Sequence, residues 1–290
     1  CQQTGFATDA TEMQLSPSVT GPTDEAPVCA AGQAPTYLFD DPITTVANWS
    51  SSSASVWSGV TGYAASGNLS LYGRDLATTQ NHTMRMVANV NIPAGATAYA
   101  RWNHAFDFEP NYDGGQVEIS TNSGGAWTNA GGLLVNNGYN GTLDAANPLG
   151  AVAAYTDRSL GYTSARLNLS SAAGGPVRLG FRVASDSSAG DLGWLIDDVQ
   201  IYTCSTAPAL LRVTTTPAVP SVISVDGIER DSWGINWASF PAGSHQVCFG
   251  KVLGWVTPGC QTVTLTAGAT TTVNGAFSQS GYLRVITSPA

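Results

Sequence analysis

The sequence predicts an all-β protein: a jelly-roll β-sandwich, then a small Ig-like sandwich, then the first strand of a further repeat of that smaller fold. Three observations carry this expectation. Short runs with apolar–polar alternation recur between Gly, Asn, Asp and Ser clusters from Tyr37 to Cys204, with no stretch spaced like an amphipathic helix. Charged residues make up only 11% of the chain, whereas an ordinary domain carries about a quarter, and glycine is abundant at 32 residues. Finally, LRVTTTPA at 211–218 returns as LRVITSPA at 283–290, 72 positions later and with six of its eight residues unchanged. A fixed period marks a repeated structural unit, and a copy that stops after its first strand predicts a natural chain running past Ala290.

The elements follow in order. Residues 1–35 are rich in Thr, Pro, Ala and Gly and read as a linker or tail, with only FATDATEM able to form a helical turn. Residues 36–204 hold ten strand-like runs, among them AYARWNHAFDFE, GQVEIST, PVRLGFRVAS and GWLIDDVQIYT. In the third of these, Val177, Leu179, Phe181 and Val183 face one way and Arg178 and Arg182 the other. Asn122-Ser123-Gly124-Gly125 predicts a hairpin whose positive-φ positions are taken by Asn and Gly, after which Trp127 rejoins the sheet. The aperiodic stretch 136–161 is either a functional lid or a loop folded over a sheet edge. STAPA at 205–209 opens the smaller domain, 205–280, in which Asp226-Gly227 and Pro241-Ala242-Gly243 mark tight turns.

Charge and cysteine usage bound the function. A net charge of -9 with a single lysine, Lys251, argues against nucleic acid or anionic membrane as partners and suits divalent cations and neutral glycans. No apolar run reaches the roughly 20 residues of a membrane span. The five cysteines lack the close pairing of zinc sites, so disulfides and an extracellular setting are expected. Cys248 and Cys260 flank a turn-rich segment and should bridge neighbouring strands. Cys29 and Cys204 bracket the large domain and form the second expected pair, with Cys1 left over; the rival pairing is Cys1–Cys29 with Cys204 free.

Candidate chemistry is sparse. HExxH, G-x-S-x-G and phosphate-loop patterns are all missing from the sequence. Asp107, Glu109 and Asp113, with Glu118 beyond them, could supply the two carboxylates of a glycosidase, but a non-catalytic surface loop accounts for them better. His104 lies among Trp102, Ala105 and Phe106, as expected of a hydrogen-bonded sheet histidine rather than a ligand or base. Trp102, His104, Glu109, Asp113 and Tyr139 are the candidate ligand-contacting residues. Trp233, Trp237, Phe240 and Trp255 form either a sugar platform or, the blander reading, packing around the disulfide. If the first and last strands pair, Asp40 and Asp41 approach Asp197 and Asp198, and four carboxylates so placed call for calcium. The alternative is that Asp198 caps a loop or binds an arginine.

The run FDFEPNYDGGQVEISTNSGGAW, followed by NNGYNGTL, NPLG and GWLIDDVQIYTC, resembles the MAM-like or galactose-binding-like jelly roll found behind the catalytic domain of secreted bacterial metallopeptidases of the thermolysin or fungalysin type. The smaller domain, with its VDG turn, PAG turn and HQVCF strand, is similar to PEGA-type surface repeats. These resemblances imply a structural calcium at the paired aspartates and a non-enzymatic accessory region: an extracellular binding or stalk module for glycan or surface protein. The competing expectation is a structural subunit of an extracellular fibre, self-associating by strand donation through residues 281–290.

Overall fold

A computed structural model describes residues 27–281. The tail up to residue 26, Cys1, and the repeat strand with its expected strand donation lie outside the described residues. The chain falls into two compact units, one built from Pro35–Cys204, the other from Ser205 onward together with Cys29–Ala34. Among the described residues, regular structure is all strand apart from two short 3-10 turns, Gly131–Leu133 and Ser170–Ala172. No helix among the described residues is long and apolar enough to cross a membrane.

The larger unit carries β1 (Gln33–Asp41), β2 (Trp49–Ser51), β3 (Trp57–Thr61), β4 (Leu69–Arg74), β5 (Gln80–Met86), β6 (Val90–Asn91), β7 (Thr97–Asp107), β8 (Gly114–Ser120), β9 (Thr128–Asn129), β10 (Leu134–Asn136), β11 (Gly141–Thr142), β12 (Ala153–Ala154), β13 (Thr163–Asn168), β14 (Pro176–Ser185) and β15 (Gly193–Thr206). Successive long strands alternate between two sheets. The order β13-β7-β15-β4 in one faces β5-β14-β8-β9 in the other, which is the double Greek key of a jelly roll. β3 and β10 extend the first sheet, β1 pairs with β15, and β2 and β6 join the second.

Period-two patterning builds the core between these layers. Val177, Leu179, Phe181 and Val183 are fully buried, and they meet Trp57, Trp102, Trp194, Ile196 and Val117 from the neighbouring strands. Burying that much aromatic and branched aliphatic surface drives the two layers together. Trp194 packs where β8 has no side chain: a Cβ on Gly115 would overlap its indole ring.

The stretch 136–161 folds over the sheet edges rather than standing free. Tyr155 exchanges backbone hydrogen bonds with Gly115 of β8, and Arg158 pairs with Asp107 of β7, so one segment joins both sheets at the same rim. Tyr155 and Leu143 are buried there, and Asn147 Nδ2 donates to the carbonyls of Tyr112 and Ala184. The hairpin after β8 differs in detail from expectation. Ser123 (φ 61°) and Gly124 (φ 88°) take the left-handed positions, while the Asn122 side chain accepts from Ser120 Oγ and Ala126 N–H. An asparagine that can staple the turn through its oxygen leaves the positive φ to its neighbour.

The smaller unit contains β16 (Ala209–Thr216), β17 (Ile223–Val225), β18 (Ile228–Asp231), β19 (Ile235–Phe240), β20 (Gly243–Phe249), β21 (Trp255–Val256), β22 (Gln261–Leu265), β23 (Thr270–Ala276) and β24 (Ser278–Gln279). Sheets β19-β16-β23 and β18-β17-β20-β22 enclose a separate core of Leu211, Val213, Ile223, Val225, Val247 and Val273. Asp226 (φ 53°) and Gly227 (φ 79°) form the two-residue turn between β17 and β18, whose twist suits a hairpin. The Cys248–Cys260 bridge is formed, one step beyond the Val247–Gln261 pair of β20 and β22. Cys29 and Cys204 are each disulfide-bonded, so Cys204 is not the free thiol of the rival pairing.

Candidate functional site

The calcium site expected from Asp40, Asp41, Asp197 and Asp198 does not assemble. β1 does lie beside β15, but adjacent residues of a strand point to opposite faces. Asp40 faces outward and its Oδ1 accepts from Gln200 Nε2 at 2.9 Å. Asp41 turns inward, where it accepts from Ile43 N–H, Asn48 Nδ2 and Trp49 Nε1 at 2.9–3.0 Å and fixes the bend leading to β2. Asp197-Asp198 is a β-bulge: the register slips between Asp197 and Gln200, and Asp198 has φ 49°. Asp197 accepts from the N–H groups of Ala65 and Ser66, and Asp198 from Ser66 Oγ and Asn103 Nδ2. The pair thus caps the β3–β4 loop. Burial raises the Asp197 carboxyl to about 6.

Carboxylates converge elsewhere. Glu109 and Asp113 from the β7–β8 loop and Asp186 from the β14–β15 loop bring carboxylate oxygens within 4.8 Å of one another. Asp75, from the β4–β5 loop, stands beside them. The fold makes this meeting inevitable, since β4 and β7 flank β15 antiparallel and therefore end on the same side. Asp75 accepts from Ser185 Oγ at 2.5 Å and from the N–H groups of Asp191 and Glu109. Asp113 is fully buried; its Oδ1 accepts from Asp186 N–H at 2.7 Å, and its Oδ2 has no hydrogen-bond partner, nor has the buried Oε2 of Glu109. Burial, and then the neighbouring Asp75, push the Asp113 carboxyl up to about 8. Burial and the charges of Asp186, Asp75 and Asp191 raise Glu109 as well.

The remaining candidates for ligand contact divide. Trp102 and His104 are fully buried and offer no surface to a ligand, while Tyr139 is half-buried with its hydroxyl held by Val117 and Asn129. Trp194 Nε1 donates to His104 Nδ1 at 3.1 Å, which places the imidazole proton on Nε2, and the Tyr155 ring lies edge-on at 4.7 Å. Burial lowers His104 to about 3, so the ring is neutral. It is a packing residue.

The outward face of the second sheet carries a polar band that the sequence reading saw only in part. Arg85 on β5 and Arg182 on β14 both clasp Glu118 on β8: Arg85 Nη2 at 2.7 Å to Oε2, Arg182 Nε at 2.7 Å to Oε1. Arg182 also reaches Asn81, and Gln116 lies opposite it across the strand pair. Trp127 lies over Gly180, whose missing side chain leaves room for the ring, and the Arg85 guanidinium stacks 4.4 Å from the indole centroid. The opposite face is less open. Tyr72, Ala105 and Leu195 are covered there by Tyr63, Tyr162 and Leu192.

In the smaller unit Trp233 and Trp237 are 63% and 57% exposed, whereas Trp255 and Phe240 pack against the core, so the expected group is split. His245 Nδ1 meets Asp226 Oδ2 at 2.7 Å and its Nε2 meets the Pro241 carbonyl, joining the two turns.

No protein-family model matches the chain, and no curated protein matches it. Among solved structures, it is similar to the CBM22-1 xylan-binding domain of Xyn10C from Paenibacillus barcinonensis, with 14% identity over 59% of this chain and 96% of that one, at a TM-score of 0.36. It is similar as well to TmCBM61 in complex with β-1,4-galactotriose, with 14% identity over 55% of this chain and 90% of that one, at 0.35. The K2 cleaved adhesin domain of Lys-gingipain matches with 18% identity over 56% of this chain and 96% of that one, at 0.34. Likeness at these scores carries no argument, and the jelly-roll assignment rests on the sheet order itself.

Proposed function

We propose that the chain is a non-catalytic extracellular region in which the jelly roll binds a neutral glycan on the outward face of its second sheet and the smaller unit serves as a spacer. The observation that carries this reading is the Arg85–Glu118–Arg182 band beside Trp127. Such a face offers a polyhydroxylated ligand what it needs: an aromatic edge, and planar donors and acceptors already locked in place by one another. Preorganisation of this kind lowers the entropy cost of binding. The two guanidiniums share one carboxylate, so the band is not tuned to a strongly anionic partner. Disulfide-bonded cysteines fit a secreted or surface-exposed protein.

A glycan array followed by affinity electrophoresis in plant, bacterial and matrix polysaccharides tests the proposal. Retention by at least one neutral polysaccharide is expected, weakened about tenfold or more by Trp127→Ala or Arg182→Ala. Uniform silence, or retention indifferent to both substitutions, overturns it.

A further inference from the structure

The acidic cluster at the rim of the jelly roll supports an assignment separate from the glycan reading. Three of its four carboxylates are fixed by donors, most of them at the end of β14 and in the β14–β15 loop: Asp186 N–H holds Asp113, Ser188 N–H and Oγ hold Asp186, and Ser185, Asp191 and Glu109 hold Asp75. After these bonds are made, two oxygens remain sealed from solvent with no donor, Asp113 Oδ2 and Glu109 Oε2. Asp113 is 0% exposed. Among the described residues no ion pair engages any of the four carboxylates, and Arg158 at the same rim pairs with Asp107 and Asp157 instead. Buried like charges repel and lose hydration at once, a cost that a proton on Asp113 or a bound cation relieves, and a cation in addition gives the two unpartnered oxygens a partner.

We propose that Glu109, Asp113 and Asp186 ligate a calcium ion, with Asp75 as the positioning residue behind them, and that the ion ties together the β4–β5, β7–β8 and β14–β15 loops. The donor set is oxygen alone, with no imidazole or thiolate, which selects a hard cation. Full burial of Asp113 requires the ion to shed water on that side. Calcium does so readily and accepts irregular coordination, whereas magnesium holds its water and demands an octahedron.

The test is calorimetric titration of the whole chain, stripped with EDTA, with Ca²⁺ alone, alongside thermal unfolding. Saturable heat is expected, with a higher unfolding temperature in Ca²⁺ than in EDTA and a much smaller effect of Mg²⁺. Asp113→Asn should weaken Ca²⁺ binding about tenfold or more. Glu109→Gln and Asp186→Asn, nearer the surface, should do the same while keeping the native circular dichroism, and so guard against a misfolded Asp113 variant. Asp198→Asn should leave the titration unchanged. Absence of Ca²⁺ heat, or Ca²⁺ binding that survives Glu109→Gln and Asp186→Asn but disappears with Asp198→Asn, overturns the assignment.

Discussion

His104 shows how one side chain can set the acid sensitivity of the larger unit. Its folded value of about 3 lies below the ordinary 6.5, so between these limits the unfolded chain binds the extra proton. Stability contributed by the neutral ring is therefore complete above 6.5 and is lost as the pH falls toward 3. Unfolding free energies from urea titrations between pH 7 and 4 should fall with a slope approaching about 1.4 kcal/mol per pH unit from this residue alone, and His104→Gln should flatten that slope. Gly115→Ala tests the close approach of Trp194 from the other side: the added methyl overlaps the indole and should cost about 1–3 kcal/mol in the same measurement. Residue-scale legibility was uneven. His104 reads in sequence as a hydrogen-bonded sheet histidine and as a candidate for ligand contact; the hydrogen bond forms, to Trp194, but the ring is fully buried between the sheets. The paired aspartates mislead, since a bulge at Asp197-Asp198 and the alternation of Asp40 and Asp41 are decided by register, which depends on partners far away in the chain.

Strands were easier to read than the places where they meet. Val177 to Val183 alternate in sequence, and so do their burials except at Gly180, which Trp127 covers, because one face of β14 packs on the core and the other does not. The rim cluster was half visible. Glu109 and Asp113 stand in an evident loop, but Asp75 and Asp186 join them only because β4 and β14 end at that same rim; the sequence signal is an acidic residue directly after each strand. The stretch 136–161 reads as aperiodic because it follows two sheet edges in turn and belongs to neither. Disulfide pairing in the smaller unit was legible from spacing. Removing it by Cys248→Ser with Cys260→Ser should destabilise that unit by about 3 kcal/mol, as expected for a loop of 12 residues, and chemical denaturation of the double variant checks this. His245 adds a pH dependence of opposite sign to that of His104. Its hydrogen bond to Asp226 raises its pKa, so its contribution is present below 6.5 and disappears as the pH climbs through the folded value. Asp226, lowered by its bonds to Gln246 and His245, limits the same contact on the acid side. An NMR titration of the His245 ring protons should give a midpoint above 6.5 that Asp226→Asn lowers, the Pro241 carbonyl still holding Nε2.

At the scale of the molecule, two cores with no shared members predict two cooperative transitions. Scanning calorimetry should resolve them, with the cysteine double variant moving one and Gly115→Ala the other; a single peak shifted by both would contradict this reading. One architectural detail bears on how such a module travels through evolution. β1 and β15 run side by side in opposite directions, Thr203 beside Thr36 and Gln200 beside Asp40. Polypeptide therefore enters and leaves the jelly roll at neighbouring points. A cassette with adjoining doorways can be spliced into a host loop, excised, or circularly permuted without prising apart whatever flanks it.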